Sequence, residues 1–400
     1  MVKIAAPSRS SYDVVIVGGA MMGSSAAWWL SREAGFDGSV LVVERDPSYE
    51  GSSTGATNSC IRQQFSNEVN IRISQFSADF IRTFPEWFDD PDVPTLATHY
   101  FGYMYLADSE EFAATLRTNQ AVQSAWGAGT QIMTPAEIAD AYPFYNLDDI
   151  VCGSHNLTDE GYFDGGTIFD TWRTQARRNG VEYCTNEVVG IDLADDRVTG
   201  VRLASGETVA CGTVVNAAGP RAARVAAMVG VDLPVEPRKR YSFIFDAAEP
   251  LDRALPLTID PSGVHCRSDG GYYQAGCPPD DDHAVEPDDR AVDPDIWEDK
   301  IWPVLANRIP AFERVKVVNR WAGHYSYNTL DQNAIVGTHP GIENFVFING
   351  FSGHGLQQSP AMGRGVAEAI AYGEYRSIDL RPLGFERVLA GDPFLERAVI

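Results

Sequence analysis

The sequence predicts an α/β protein made of two closely joined domains. The first observation is that residues 12–44 read as strand, glycine turn, helix and strand. The second is that residues 345–369, near the other end of the chain, again read as a strand followed by a glycine-rich turn and a helix. The third is the length of 400 residues, because one hydrophobic core seldom grows that large.

The first of these stretches is a predicted βαβ unit. Residues 14–17 are apolar and β-branched, which is typical of a short buried strand. The pair Gly18-Gly19 ends this strand, and from Gly23 onward the apolar residues follow helical spacing. A second apolar run, residues 39–43, ends at Glu44. The spacing therefore predicts two parallel strands joined by a helix.

A βαβ unit with this turn is typical of dinucleotide binding. Backbone N–H groups and the helix N-terminus face the pyrophosphate, and an acidic residue after the second strand accepts from a ribose hydroxyl. Ala20 stands where the motif usually has its middle glycine, and a plain α/β turn is the alternative interpretation. The predicted cofactor-binding residues of this unit are Gly18, Gly19, Ala20, Met22, Gly23, Glu44 and Arg45.

The composition and the net charge limit the classes of partner that the chain can bind. The formal net charge of −24 argues against nucleic acid and anionic membranes, which repel an acidic surface. The six cysteines are scattered, the first ten residues lack the apolar core of a signal peptide, and the uncharged stretch 14–30 is too short for a membrane span. We therefore expect a cytoplasmic protein without a membrane span. The seven histidines lack metal-binding spacing, so no metal site is predicted.

Residues 45–68 form a predicted loop rich in glycine, serine and threonine. After the second strand of a dinucleotide fold, such a loop can wrap the cofactor, and its candidate residues are Ser52, Ser53 and Thr54. Arg62 lies near the end of the loop, and it is either a surface cation or a group that points to the ring end of the cofactor. Residues 70–84 are predicted as a helix, and the acidic, proline-containing residues 85–94 as the crossing into the second domain.

The middle of the chain alternates predicted strands and helices. Residues 100–106 predict a strand and residues 110–127 a helix, and a capping box is predicted at Thr134. A helix is predicted over 167–179, a third parallel strand over 181–184, and a three-stranded meander over 188–209. Residues 213–220 predict a further buried strand, whose small final residues either let a ligand approach the backbone or form a tight turn against a helix.

The last part of the chain combines a basic cluster, a hairpin and the second glycine-rich device. Residues 238–240 are basic, and residues 263–276 predict a hairpin with Asp269 and Gly270 in the turn. Residues 280–289 predict a solvated acidic loop, since they lack the spacing of a calcium loop. A strand at 345–348 leads through the glycine loop 350–355 to a helix predicted to begin near Ser359-Pro360. Two glycine devices in one chain indicate one long ligand held at both ends, such as FAD.

Several strings of the sequence carry a resemblance to a known family. DVVIVGGAMMG near the start, VVNAAGP in the middle and FINGFSGHGLQQSPAMGRGVAE near the end resemble one flavoprotein family. Its members include D-amino-acid oxidase, glycine oxidase, sarcosine oxidase, and sarcosine and dimethylglycine dehydrogenases. The strings CIRQQFSNEVNIRIS, PVEPRKRY and WAGHYSYNTLDQNAIVG resemble its branch of FAD-dependent oxidoreductase domain-containing proteins.

The resemblance implies a discontinuous Rossmann-type FAD-binding domain (1–95, 155–230 and 321–400) and an α+β substrate domain with a mainly antiparallel sheet (96–154 and 231–320). It also implies non-covalent FAD, because His324 and Gly55 stand near the places where other branches attach the flavin through cysteine or histidine. The further cofactor-binding residues are Val188, Ala218, Gly219, Gly350, Ser352, Gly353, His354, Gly355 and Leu356.

The implied reaction is oxidation of the C–N bond of a small secondary or tertiary amino acid, such as sarcosine, dimethylglycine or iminodiacetate, by hydride transfer to the flavin; water then hydrolyses the imine. Tyr325 replaces the arginine that holds the substrate carboxylate in D-amino-acid and glycine oxidases, so the cation is expected to be Arg62 or Arg267, unless both are structural. The candidate catalytic residues are Arg62, Arg267, Tyr325, His354 and Gln357.

The sequence leaves two kinds of electron acceptor and two alternative functions open. Gln274 and Gln357 stand near places where relatives carry lysines, one of which helps oxygen react with reduced flavin. The acceptor is therefore either oxygen or an electron-transfer protein or quinone. The alternative functions are an assembly or chaperone protein that retains FAD and a flavin oxidoreductase that acts on a hydroxy acid.

Overall fold

The computed structural model of the protein describes residues 4–397. Residues 1–3 and 398–400, which the predicted FAD-binding domain includes, lie outside the described residues. In chain order the strands are β1 (Ser11–Val17), β2 (Val40–Glu44), β3 (Cys60–Ile61), β4 (Thr98–His99), β5 (Tyr103–Ala107), β6 (Gln131–Met133), β7 (Cys152–Asn156), β8 (Gly161–Phe163), β9 (Glu182–Thr185), β10 (Val188–Ala194), β11 (Arg197–Leu203), β12 (Thr208–Asn216), β13 (Val235–Ala247), β14 (Leu257–Ile259), β15 (His265–Asp269), β16 (Tyr272–Cys277), β17 (Val315–Asn328), β18 (Ile335–His339) and β19 (Ile342–Asn349).

Helices cover the first sheet and connect the strands of both large sheets. They are α1 (Met21–Leu30), α2 (Glu68–Arg82), α3 (Glu110–Ala125), α4 (Pro135–Ala141), α5 (Gly165–Arg178), α6 (Ala222–Ala227), α7 (Trp302–Arg308), α8 (Gly355–Tyr372) and α9 (Glu386–Ala390). The predicted capping box at the start of α4 is present, with reciprocal bonds between Thr134 and Glu137. Among the described residues, no helix combines the length and the apolar character needed to cross a bilayer.

The first large sheet contains the predicted βαβ unit. Its strand order is β10-β11-β12-β1-β2-β9, and β19 pairs with β12 and with β18. Strands β12, β1, β2 and β9 are parallel to one another, and β19 is parallel to β12. Val14, Val15 and Ile16 are fully buried, as expected for a parallel strand covered on both faces. The α/β prediction and the third parallel strand are therefore confirmed.

One prediction in this sheet was wrong, because β12 is a single strand. The sequence predicts a break between the meander and the buried strand at 213–220, but β12 runs from Thr208 to Asn216. Its first half pairs with β11 and its second half pairs with β19, so the strand changes its partner without changing its direction. Gly212 marks this change of partner, and a Cβ there would meet the Asp13 carbonyl oxygen at 2.8 Å.

The second large sheet is mainly antiparallel, as predicted, with the order β17-β13-β16-β15-β14-β5-β7-β6. Asp269 still pairs with Tyr272 in its hairpin, so the turn residues are Gly270 and Gly271 and the predicted turn was one residue too early. Strand β17 pairs with β13 along its whole length, which places residues 321–328 in this sheet although the sequence assigns them to the FAD-binding domain. The domain boundaries themselves stay predictions.

Helix α8 begins earlier than predicted. It starts at Gly355, so Pro360 lies inside the helix and does not open it. Proline has no N–H for the carbonyl group four residues before it, which belongs to Leu356. The Ser359 hydroxyl donates to that carbonyl oxygen at 2.7 Å and replaces the missing bond. The sequence signal of a proline at a helix start was therefore misread, because a neighbouring side chain compensates for it.

Candidate active site

A cavity of about 410 Å³ lies between the two large sheets. Its lining includes residues that follow the carboxyl ends of β1, β2, β12 and β19, together with residues of β13 and β17. Open α/β sheets bind their ligands at the carboxyl ends of the parallel strands. The cavity therefore brings the predicted cofactor-binding loops against the antiparallel sheet.

The turn after β1 depends on two glycines. Gly18 has a φ of +99°, and a Cβ on Gly23 would overlap the Gly18 carbonyl oxygen. Without a side chain at either position, α1 starts directly behind β1. Ala20 is the N-cap residue of α1 and makes no side-chain bond there, whereas the Thr54 hydroxyl accepts from the Met21 N–H at 3.2 Å. The loop after β2 thus contacts the start of α1 beside the cavity.

Glu44 ends β2 with its carboxylate turned back to the glycine turn. One oxygen accepts from the Gly19 N–H at 2.8 Å, and the other accepts from the Asp46 N–H at 2.7 Å. Burial raises the pKa of Glu44, and these two bonds oppose that rise. Each oxygen keeps further acceptor capacity, and Glu44 lines the cavity. The position and the chemistry of this group fit the predicted ribose acceptor.

Replacement of Glu44 tests this role. Glu44→Ala removes a charge-assisted acceptor worth about 1.5–3 kcal/mol, so FAD affinity should fall by roughly one to two decades. The measurement is calorimetric titration of the apoprotein with FAD. Glu50→Ala, at an exposed carboxylate of the following loop, is the matched control and should bind FAD as the wild type does. Equal affinity of the two variants would rule out the ribose assignment.

Most of the predicted cofactor-binding residues share the cavity wall. Those that line it are Gly18, Ala20, Met22, Glu44, Arg45, Ser52, Ser53, Thr54, Val188, Ala218, Gly219, Gly353, His354, Gly355 and Leu356. The others, Gly19, Gly23, Gly350 and Ser352, lie behind this wall and shape the two glycine loops. The Ser352 hydroxyl, for example, accepts from the Asn328 N–H at 3.0 Å, which fixes the second loop against the end of β17.

The second glycine loop packs against β17. Gly353 has a φ of +96°, and a Cβ there would overlap the Tyr325 ring. The Ser352 N–H donates to the Ser326 carbonyl oxygen at 3.0 Å. These contacts place Tyr325 and His354 on the same stretch of cavity wall.

Arg62 lies in this part of the cavity and is 1% exposed. Its Nη2 is 2.7 Å from His354 Nε2, and its Nη1 donates to the Tyr105 hydroxyl. The guanidinium carbon lies 4.4 Å from the centre of the Phe65 ring. The Arg62 N–H donates to Gln357 Oε1 at 2.9 Å. Of the two alternatives, the structure thus excludes a surface cation, and it joins three candidate catalytic residues in one cluster.

His354 is neutral in this cluster. Burial, assisted by the charge of Arg62, holds its pKa well below the usual range of histidine. Its Nε2 therefore accepts from the Arg62 guanidinium, and the ring proton resides on Nδ1. Arg62 consequently keeps the positive charge of the pair, next to the neutral hydroxyl of Tyr105.

Arg267 has a different environment from Arg62. Its Nη1 lies 2.7 Å from Asp269 Oδ1, and its Nη2 donates to the Asn58 carbonyl oxygen at 3.1 Å and to the Gln274 side chain. Arg267 is 4% exposed and lies behind Asn58, which lines the cavity. These contacts favour the structural alternative for Arg267, whose role toward a carboxylate stays a prediction.

Sequence reasoning missed Arg240 as a cavity residue. Arg240 lines the cavity, and its guanidinium carbon lies 4.6 Å from the centre of the Tyr325 ring. Asp282 binds it through both oxygens, at 2.7 and 3.0 Å. The basic cluster 238–240 was visible in the sequence, but the sequence does not show that Arg240 is the member that lines the cavity. Asp282 and Asp289, which pairs with Lys239, also show that the acidic loop is not simply solvated.

His265 is a second cavity residue that sequence reasoning missed. Burial lowers its pKa to about 4, with smaller contributions from Arg240 and Arg267. Its Nε2 lies 3.3 Å from the Asn58 amide nitrogen. No spacing pattern distinguishes this histidine in the sequence. It reaches the cavity wall through its position at the start of β15. It adds a neutral polar group to the cavity wall.

The residues of the cavity fit FAD. Two glycine loops that tolerate no Cβ at Gly23 and Gly353 border it, and Glu44 is placed as a ribose acceptor. The first loop would hold the pyrophosphate and the second the ring end of the cofactor. One elongated nucleotide that contacts both loops accounts for them.

Comparison with known proteins gives the same cofactor. Residues 13–369 match the family described as FAD dependent oxidoreductase, DAO. FAD-dependent oxidoreductase domain-containing protein 1 of Xenopus laevis is 38% identical over 98% of this chain and 85% of its own length. Mitochondrial sarcosine dehydrogenase of Mus musculus is 24% identical over 92% of this chain and 40% of its own length.

A solved structure shows the same fold. L-proline dehydrogenase from P. horikoshii superposes with a TM-score of 0.83 at 25% identity, and the match covers 96% of this chain and 99% of that chain. Both the match of the sequence and the match of the fold extend over nearly all of the chain. The protein therefore belongs to the DAO family of FAD-dependent oxidoreductases and is an enzyme that uses FAD.

Proposed function

We propose that the enzyme oxidises the C–N bond of a small secondary or tertiary amino acid whose carboxylate binds Arg62. The observation that carries this proposal is the buried, positively charged Arg62 in the wall of the cofactor cavity, beside neutral His354. A planar guanidinium is the side chain best suited to bind a carboxylate through two parallel hydrogen bonds. An acidic protein with a net charge of −24 needs such a local cation to recruit an anionic substrate.

The names of two relatives support the same substrate class. One is a sarcosine dehydrogenase and the other an L-proline dehydrogenase. Sarcosine and proline are both amino acids with a secondary amine next to the carbon that carries the carboxylate. N-substituted glycines such as sarcosine, dimethylglycine and iminodiacetate also carry a secondary or tertiary amine on that carbon and are the substrates we propose to examine first.

The side chains around Arg62 would orient the substrate. When bound, FAD supplies the acceptor for the two electrons and the hydrogen that leave the carbon next to the nitrogen. Arg62 would fix the carboxylate, while Tyr325 and Gln357 offer neutral hydrogen-bonding groups on the same wall. The amine has to lose its proton first, because the nitrogen lone pair forms the new C=N bond. Water hydrolyses the imine in a separate step after the oxidation.

The proposal extends to the acceptor and the location. Gln274, near the place of an oxygen-activating lysine in relatives, is bonded to Arg267. An amide at this place favours an electron-transfer protein or quinone over oxygen as the acceptor. The cytoplasmic location expected from the cysteines is part of the same proposal, although one relative is named as mitochondrial.

Anaerobic reduction of the bound flavin tests the proposed function. The FAD-loaded wild type is mixed separately with N-methylglycine, L-proline and glycolate, and the loss of oxidised-flavin absorbance is followed. We expect reduction by at least one of the two amino acids and none by glycolate. Reduction by glycolate alone would replace the proposal with hydroxy-acid oxidation. A flavin that stays oxidised with all N-substituted amino acids would favour the FAD-retaining assembly function.

A further inference from the structure

Glu160 is a buried carboxylate next to the segment that carries Arg62 into the cavity wall. It is 0% exposed and directly precedes β8. Its carbonyl oxygen accepts from the Gly102 N–H at 3.0 Å. Its side chain points to the segment that follows β3, where Arg62 is located. An ionised carboxylate in such a place is costly unless several donors and a nearby cation stabilise it.

Three hydrogen-bond donors contact the two carboxylate oxygens of Glu160. The Gln63 N–H lies 2.6 Å and the Asn156 amide nitrogen 2.9 Å from Oε1. The Gln64 amide nitrogen lies 2.9 Å from Oε2. Two of these donors come from the residues directly after Arg62. Glu160 therefore fixes the backbone from which the Arg62 side chain enters the cavity.

The orientation of both amides is set by second contacts. Ser154 Oγ donates to Gln64 Oε1 at 2.8 Å, and the Thr158 N–H donates to Asn156 Oδ1 at 2.8 Å. In this arrangement each amide presents its NH₂ group to Glu160. All three partners are then donors, which suits an ionised carboxylate; a proton on Oε2 finds an acceptor when the Gln64 amide turns over and its NH₂ group donates to the Ser154 hydroxyl.

We propose that Glu160 is a positioning residue for Arg62 and that a carboxylate binds at Arg62 together with a proton that Glu160 takes up. The negative charge of Glu160 stabilises Arg62 in the absence of a ligand and repels a second carboxylate. Protonation removes that repulsion. The inference rests on the proposed function only in identifying the carboxylate as that of the substrate.

The charges around Arg62 support this coupling. Burial raises the pKa of Glu160 to about 7, and its three hydrogen bonds and the charge of Arg62 oppose this rise. The phenols of Tyr103 and Tyr105, on β5, have pKa values raised by burial, so both stay neutral in this range. His354 stays neutral as well, since its pKa is lowered well below the usual range. Of Glu160, Tyr103, Tyr105 and His354, Glu160 is thus the group whose charge changes near pH 7.

The direction of the pH dependence follows from linkage. A carboxylate bound at Arg62 raises the pKa of Glu160 further, so binding takes up protons where the free protein is partly ionised. Affinity for the carboxylate should therefore be high below about pH 6 and fall as the pH rises through about 7. Acetate is a suitable probe because it stays ionised over this range and cannot be oxidised as an amine.

Glu160→Gln tests the inference with little change in shape. The new amide oxygen can accept from Gln63 and Asn156. The Gln64 amide can turn over, so that its oxygen accepts from residue 160 and its NH₂ donates to the Ser154 hydroxyl. Glu86→Gln, at an exposed carboxylate, is the matched control.

The experiment is calorimetric titration of the FAD-loaded enzyme with acetate at about pH 6 and pH 8, in buffers of different ionisation enthalpy. For the wild type and Glu86→Gln we expect affinity on the order of tenfold tighter at the lower pH, equivalent to ~1.4 kcal/mol, and proton uptake on binding. Glu160→Gln should show equal affinity at the two pH values and no uptake.

Three results would overturn the inference. They are unchanged pH dependence in Glu160→Gln, absence of proton uptake by the wild type, and absence of acetate binding to the wild type. The second and third use the wild type, so they decide the question even if Glu160→Gln fails to fold. Flavin reduction by N-methylglycine is measured separately, so failure of the proposed function leaves the acetate result interpretable.

Discussion

Gly23→Ala is expected to lower FAD affinity by about five- to a hundredfold, because the added methyl group has no space. Its Cβ would overlap the Gly18 carbonyl oxygen, which is a main-chain atom of the cofactor turn itself. Overpacking of this kind costs roughly 1–3 kcal/mol and here has to displace either α1 or the turn. Since both would hold the pyrophosphate, most of that cost should appear in FAD binding. The measurement is the FAD content after purification, followed by titration of the apoprotein.

The control for this substitution is Gly271→Ala in the hairpin turn between β15 and β16. A Cβ at Gly271 would have nothing within 4 Å, so this variant should bind FAD as the wild type does. Thermal unfolding of both apoproteins separates a binding defect from a folding defect. Normal FAD content in Gly23→Ala would contradict the placement of the pyrophosphate at the first glycine turn.

Arg62→Ala is expected to cause the largest loss of activity toward carboxylate substrates. Leaving a carboxylate without its buried cation costs about 2–5 kcal/mol, so the kcat/KM for N-methylglycine should fall by about 30- to 5,000-fold. Dimethylamine has no carboxylate, and its much slower oxidation should change little. The measurement is the rate of anaerobic flavin reduction by each compound in FAD-loaded enzyme.

Arg267→Ala is the matched control for the carboxylate preference. Arg267 is buried to a similar degree as Arg62, but Asp269, Asn58 and Gln274 hold its guanidinium behind the cavity wall. This variant should keep the preference of the wild type for N-methylglycine over dimethylamine. Loss of the preference in Arg267→Ala, with retention in Arg62→Ala, would transfer the substrate-binding role to the other arginine.

The first glycine turn could be predicted from the sequence because its contacts are local. The strand, Gly18, Gly23 and Glu44 lie within one βαβ unit, and each contributes through backbone geometry that the motif specifies. The start of α8 could not be placed in the same way. There Pro360 gave a misleading signal, since a hydrogen bond from Ser359 removes the penalty that a proline normally carries inside a helix.

The cluster around Arg62 depends on contacts between distant parts of the chain. Arg62 and His354 are 292 residues apart in the sequence, and no local pattern predicts that they touch. Before the structure, only the resemblance to a family named both residues as candidate catalytic residues. Glu160 had no signal in the sequence, because its role depends on donors on Gln63 and Asn156, which are distant or unremarkable in the sequence.

The central claim is that one cavity holds FAD between the two glycine loops and presents Arg62 to the carboxylate of the substrate. The crystal structure of the FAD-loaded protein with acetate tests it most directly. We expect the flavin ring beside the glycine loop 350–355 and the acetate carboxylate bonded to the Arg62 guanidinium. Acetate bonded to Arg240 or Arg267 instead, or a flavin ring away from that loop, would contradict it.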